Sequence, residues 1–198
     1  VLNKVNQIIK SRQIASSRLK LEAEGYDKLF KAGDDEAFPP EYFDLWTLVE
    51  ELKRTKPNHV LEYGSGWSTY VIAETLNRIG KDWELTTVEL DREWGKITSH
   101  RLGSKLKENV AIISPRPEVW IYGSNKLNKG GLWYRSLKGG KRQFGVACIA
   151  FPELHGRSPD FVYLDGPNPK QVSDFVDSLE MRPFKPLVLD PLFFEKSF

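Results

Sequence analysis

Apolar positions change their period along this chain, and the changes divide it into elements. Leu2, Val5, Ile8 and Ile9 recur at helical spacing with Lys and Arg between them, so residues 1 to about 32 read as helical. Gly33-Asp34-Asp35 interrupts that pattern. A second helix is expected from near Pro40, with Tyr42, Leu45, Trp46, Leu48, Val49 and Leu52 on one stripe. Lys53 and Arg54 suit its last turn, and Pro57 stops it. Short β-branched and aromatic runs then begin to alternate with helical ones. Strands are expected at about 58–63, 84–90, 109–114 and 160–165, and helices at about 67–79, 92–107 and 169–181. Strands separated by helices imply βαβ units and a parallel sheet covered on both faces, an α/β fold.

Two regions depart from this rhythm. About 45 residues separate the third and fourth strands, far more than an ordinary connection. This excursion, 115–159, holds Trp120, Tyr122, Trp133, Tyr134 and Phe144, and it has no carboxylate between Glu118 and Glu153. Gly139-Gly140 can turn a hairpin between Leu132–Leu137 and Gln143–Cys148. It reads either as a decorated loop over the sheet edge or as a lid for an anionic or planar substrate. The C-terminal end offers Pro186-Leu-Val-Leu-Asp190 as a fifth strand, or Leu187 to Phe194 as a helix leading to a strand that is absent. Two expectations follow: the C-terminal part of the sheet is truncated, or the sheet is completed in an unusual way.

The candidate chemistry sits where the first strand ends, in Glu62-Tyr-Gly-Ser-Gly-Trp-Ser-Thr69. Gly64 and Gly66 mark a sharp turn whose backbone comes close to a ligand. Ser68 or Thr69 can cap the following helix, closed by Gly80. A pyrophosphate-binding turn would be repelled by a fixed negative charge at Glu62, whereas a ligand with a cationic end would be favoured. A Gly-x-Gly-x-x-Gly dinucleotide turn also lacks its third glycine here, where Thr69 stands. Glu89 follows the second strand, placed to accept ribose hydroxyls, and Asp91 reads as the N-cap of the next helix. The fourth strand ends in Asp165-Gly-Pro-Asn168, at the sheet edge where ligands bind in open α/β folds. His155 precedes that strand and is a candidate general base, while His59 and His100 read as structural or solvated.

Composition narrows the class. A chain of 198 residues is long enough for one α/β domain, and its 40% hydrophobic content is that of a globular protein. The net charge of +2 argues against obligatory nucleic-acid binding while leaving room for a local basic patch. The single cysteine, Cys148, lies in an apolar run and reads as a small buried hydrophobe. No apolar stretch approaches the roughly 20 residues of a membrane span, and no signal peptide opens the chain, so a cytoplasmic setting is expected.

The Glu-x-Gly-x-Gly element resembles motif I of the class I S-adenosylmethionine (SAM)-dependent methyltransferases, and Glu89 and Asp165 stand where motifs II and IV would be. The resemblance implies a Rossmann-like, doubly wound, mostly parallel sheet: residues 1–57 form a helical segment packed on the core and 58–198 a SAM-binding domain. It implies cofactor contacts from Glu62, Gly64, Ser65, Gly66, Ser68, Thr69, Glu89 and Asp165, with Glu62 near the amino end of the cofactor and Ser114 near the adenine. Asp-Gly-Pro-Asn is nearest in style to small-molecule O-methyltransferases, which makes Asp165 and His155 the candidate catalytic residues. In that family an aspartate at Asp165 either binds a divalent metal or orients the acceptor; no metal ligand set is assigned, because the acidic pair that would complete a divalent-metal site is not recognisable. The expected partner is a small-molecule oxygen acceptor, with no membrane and with self-association left open. Three other readings stand beside this one: a SAM-binding module without catalysis, a nucleic-acid methyltransferase using the basic excursion, and an NAD(P)-binding Rossmann protein.

Overall fold

The computed structural model describes residues 2–31, 39–80, 82–123, 126–129, 137–138, 141–142, 145–154, 156–166 and 187–188. Helix α1 (Leu2–Ala23) leads through a short 3-10 turn (Tyr26–Lys31) to α2 (Tyr42–Thr55). Then β1 (His59–Tyr63), α3 (Trp67–Ile79), β2 (Glu84–Val88), α4 (Arg92–Arg101), α5 (Ser104–Lys107) and β3 (Val110–Ile113) follow in order. The long excursion contains β4 (Glu118–Gly123), β5 (Lys126–Lys129), β6 (Leu137–Lys138), β7 (Lys141–Arg142) and β8 (Gly145–Ala150). It returns through a 3-10 turn (Pro152–Leu154) to β9 (Phe161–Leu164), and β10 is Leu187–Val188.

The main sheet is parallel with order β3-β2-β1-β9. Winding runs outward from β1 to β3 and then switches to the other side of β1, which is the first half of a Rossmann-like sheet. Its switch point lies between β1 and β9. Alternation decides the layers. Val60, Leu85, Val110 and Phe161 are register partners and join one core cluster with Leu48, Leu52, Ile72, Ala73 and Leu76 of α2 and α3. α3 is buried on both flanks, because Val71 faces a second cluster with Leu21, Tyr26, Leu45 and Val49. A buried hydrogen bond between the hydroxyls of Tyr26 and Thr75 (2.8 Å) fixes that flank. Fully burying one such aliphatic side chain is worth about 1.5–3 kcal/mol, so the helices N-terminal to the sheet are held by their packing.

The opposite face is covered differently. Phe151 lies 5.9 Å from the Tyr63 ring, Arg157 donates to Thr86 Oγ1 at 3.0 Å, and Asp160 accepts from the backbone N–H groups of Asn58 and His59. The returning chain therefore descends that face from the carboxyl end of β1 to its amino end. The helix expected at 169–181 lies outside the described residues.

Three expectations are corrected, and the packing of α1 is added to them. The helix read over 92–107 is two: Leu102 leaves the helical region at ψ 118 and Gly103 starts a new turn. Gly145–Ala150 pairs antiparallel with β4, setting Cys148 opposite Trp120, while Leu137–Lys138 pairs with Lys141–Arg142; residues 132–136 and 143–144 of the expected hairpin lie outside the described residues. Leu187–Val188 is a strand, but it extends the second sheet beside β8 (order β10-β8-β4-β5) instead of the main one. Ile8 and Ile9 remain about half exposed, and α1 packs through Ser17 and Leu21 further along.

Candidate functional site

Three parallel strands end side by side, and each delivers a carboxylate to one edge. The ladder continues past the strand ends: Gly64 N–H donates to Val88 O, Asp165 N–H to Tyr63 O and Glu89 N–H to Ile113 O, each at 2.9 Å. Gly64 adopts φ 89, in the left-handed region that favours glycine. A Cβ there would stand 3.0 Å from Gly166 N, and one on Gly166 would stand 2.9 Å from Gly64 Cα. The two turns thus meet backbone to backbone at the switch point. A Cβ on Gly66 would meet nothing within 4 Å, so the backbone there faces open space.

The cap of helix α3 lies two residues ahead of the first hydroxyl residue expected to supply it. Gly66 is the N-cap, so Ser68 and Thr69 lie within the first turn instead of capping it. Both hydroxyls tie strand ends together. Gly66 N–H donates to Thr69 Oγ1 (3.0 Å), and Thr69 donates to Glu62 Oε2 (2.7 Å). Thr87 from β2 donates to the same oxygen at 2.7 Å. Ser68 donates to Asp165 Oδ2 at 3.1 Å, joining α3 to the end of β9.

Glu62 is fully buried, and its second oxygen, Oε1, has no protein partner. Burial pushes its carboxyl up to about 7, against the opposing pull of the neighbouring Ser68, Thr69 and Thr87 hydroxyls, with the Asp165 charge adding to the rise. Asp165 itself sits at an accessible position, yet its carboxyl is raised, first by desolvation and then by Asp44 and Glu41, while Ser68 pulls the other way. Those two acids flank the start of α2, so its amino end brings further negative charge to the same site.

Glu89 organises the loop itself. Its Oε2 accepts from both the backbone N–H and the hydroxyl of Ser65 (2.9 Å each), and its Oε1 accepts from Asp91 N–H at 2.9 Å. A carboxylate offers about four acceptor positions, so one remains. That position can be filled without loosening Ser65. Asp91 caps α4 as anticipated, accepting from Glu93 and Trp94 N–H at 3.0 Å. That cap orients Trp94, whose indole N–H donates to Ser65 O at 2.8 Å. Every polar group of Ser65 is therefore held by β2 or α4.

Of the residues expected to form the site, Glu62, Gly64, Ser65, Gly66, Ser68, Thr69, Glu89 and Asp165 come together. Ser114 immediately follows β3 at the same edge. His155 lies outside the described residues. His59 and His100, exposed at the start of β1 and on α4, stand apart from it. Sequence reasoning missed Thr87, Trp94, Gly166, Glu41 and Asp44. Thr87 and Gly166 become visible only with strand register, whereas Trp94 stands three residues past a recognised cap, which is a usable signal. Among the described residues no group of three or more His, Cys, Asp or Glu is arranged to hold a metal, and no helix is long and apolar enough to cross a membrane. A cleft of about 1020 Å³, lined by His59, Glu84, Thr86, Asn109 and Arg157 among others, opens at the amino ends of the strands, away from the glycine turn.

No family model and no curated protein matches the chain. Among solved structures it is similar to an O-methyltransferase from Bacillus cereus in complex with SAH (15% identity, TM-score 0.35, covering 56% of this chain and 49% of that one). It is also similar to the SAH-bound Podospora anserina methyltransferase PaMTH1 (12% identity, TM-score 0.40, covering 81% of this chain and 57% of that one). The chain spans about half the length of these solved structures.

Proposed function

We propose that the glycine turn binds S-adenosylmethionine and that the chain is a methyltransferase acting on an oxygen acceptor. The observation that carries this reading is the set of acceptors left over at the turn. Glu62 Oε1 is buried and unpartnered, Glu89 retains one acceptor position, and Asp165 is accessible, all beside backbone that faces open space at Gly66. An acceptor-rich, negatively charged site disfavours the phosphates of a dinucleotide and suits a nucleoside that carries cationic groups and ribose hydroxyls.

When bound, the cofactor would supply an electrophilic methyl on a sulfonium. The residues of this chain would do the rest. Glu89 and the Ser65 backbone fix the turn against β2 so that donor and acceptor are held in line, which is mainly a positioning task. Asp165, its carboxyl raised by desolvation and by Asp44 and Glu41, would take the proton from an acceptor hydroxyl. The amino end of α2 and the excursion would enclose the acceptor. A cytoplasmic, small-molecule acceptor remains the working expectation for the reaction.

Calorimetry tests the cofactor. S-adenosylhomocysteine should bind, and Glu89→Gln should weaken it about tenfold, the cost of roughly 1.4 kcal/mol expected for one charge-assisted hydrogen bond. Gly64→Val should abolish it. Tight NAD binding with no heat from S-adenosylhomocysteine would sink the reading.

A further inference from the structure

We propose that the cleft between α1 and the start of α2 is the acceptor subsite, and that Asp44 selects an acceptor carrying a protonated amine on an apolar body. The inference rests on the methyltransferase reading and adds the substrate class to it. Arg18 lies over the Tyr42 ring and Lys20 over the Trp46 ring, and Lys53 pairs with Glu24. The two helices therefore run side by side in the same direction. The turns of α1 before Arg18 reach past the start of α2, and there the helices bound a cleft of about 330 Å³. That is the small end of ligand pockets, room for a ring and a short side chain.

The lining has two characters. Ile9, Ile14 and Phe43 form an apolar wall, and Ile9 and Phe43 are 50% and 44% exposed. Large apolar side chains left this open gain free energy when an apolar body covers them. Glu41 and Asp44 line the same cleft from the start of α2, and Lys10 lines it from α1.

An acid in the first turn of a helix complements its dipole, which accounts for one of the two carboxylates. Their reach goes further. The charges of Asp44 and Glu41 act on Asp165, and that of Asp44 also acts on Tyr163 in β9. The cleft and the end of β9 thus share one field of like charge. Among the described residues no ion pair neutralises Glu41, Asp44 or Asp165, and Lys10 pairs with none of them. An ammonium on the acceptor would relieve that repulsion, whereas a carboxylate or phosphate would add to it. Holding the amine at Asp44 leaves the other end of the molecule free to present its hydroxyl to Asp165.

Saturation-transfer NMR in the presence of S-adenosylhomocysteine tests this with tyramine, para-ethylphenol and para-hydroxyphenylpropionate, which share a phenol ring. Tyramine should bind about tenfold more tightly than para-ethylphenol, as one partly screened charge-assisted contact implies, and the propionate more weakly than either. Asp44→Asn should erase the tyramine advantage while leaving para-ethylphenol within about twofold of wild type. Phe43→Ala should weaken tyramine and para-ethylphenol alike, which separates the apolar wall from the charge. The wild-type ranking needs no variant, and unchanged S-adenosylhomocysteine heats would show that the core remains intact in both substitutions. Equal affinities for tyramine and para-ethylphenol overturn the proposal, as does a preference for the propionate. A tyramine advantage that survives Asp44→Asn overturns it too, as does the absence of binding by all three at millimolar concentration. If S-adenosylhomocysteine gives no heat with wild type, the cofactor reading fails and the acceptor subsite falls with it. Heat from S-adenosylhomocysteine without an amine preference overturns the amine assignment alone.

Discussion

Glu62→Gln isolates the cost of keeping a carboxylate beneath the glycine turn. The group is fully buried, both of its hydrogen bonds go to Oε2, and its carboxyl is pushed from an ordinary value of 4.5 up to about 7. Below 4.5 the folded and unfolded chains both hold the proton, and ionisation costs the fold nothing. Between 4.5 and about 7 the unfolded chain releases the proton while the folded one retains it, so stability falls by about 1.4 kcal/mol for each pH unit. Above about 7 the full cost is present, on the order of 3 kcal/mol. Gln keeps an oxygen for Thr69 and Thr87 but never ionises. Its amide nitrogen takes the place of the unpartnered Oε1, which shifts its stability by an amount independent of pH. Urea unfolding of both proteins should therefore show the Gln variant gaining about 2–3 kcal/mol on wild type between about pH 5 and about pH 8. A difference curve flat to within about 0.5 kcal/mol would refute the account, because it would mean that Glu62 ionises without cost. The same titration bears on the ligand. If a cationic group approaches Oε1, wild-type affinity for S-adenosylhomocysteine should fall as pH drops through about 7, and the variant should lack that dependence.

Two further substitutions probe the turn from its neighbours. Gly166→Ala drives a Cβ to 2.9 Å from Gly64 Cα and 3.3 Å from Tyr63 O, both rigid backbone. It should cost about 1–3 kcal/mol in thermal or urea unfolding and weaken S-adenosylhomocysteine in calorimetry, and full retention of both would mean that the turns do not meet. Trp94→Phe keeps most of the ring but removes the donor to Ser65 O. A stability loss of about 1 kcal/mol is expected, together with weaker cofactor affinity and an unchanged α4 signal in circular dichroism, since the Asp91 cap is untouched.

The parts of this architecture that were legible in the sequence are those decided locally. Helix α3 matches its expected span of 67–79, because its apolar positions carry the helical period and Gly80, at φ 74, ends it. The Asp91 cap and the run of strands from β1 to β3 are local in the same sense. What escaped depends on pairing between distant residues. β8 could satisfy its backbone with 132–137 or with β4, and nothing in either segment's own pattern selects Glu118–Gly123. The cap of α3 was assigned to the wrong residue because a glycine N-cap leaves no side-chain signal, whereas Ser68 and Thr69 look like caps. The apolar spacing of Ile8 and Ile9 announces a helix correctly but does not say which residues meet the core.

Spacing alone made Glu62, Glu89 and Asp165 look like ligand contacts, and the structure gives each of them a prior task. Glu62 ties α3 to β2 through Thr69 and Thr87, Glu89 ties the turn to β2 through Ser65, and Asp165 ties α3 to the end of β9 through Ser68. A turn built this way is shaped before any ligand arrives, which lowers the ordering cost of binding. It also means that removing a carboxylate disturbs the scaffold and the recognition surface together. Trp94→Phe separates the two, because Trp94 shapes Ser65 while the three carboxylates keep every hydrogen bond described for them. If Trp94→Phe reduced affinity as much as Glu89→Gln did, the shape of the turn would account for recognition. A much larger loss in Glu89→Gln would instead assign recognition to the one acceptor position that the scaffold leaves open on that carboxylate.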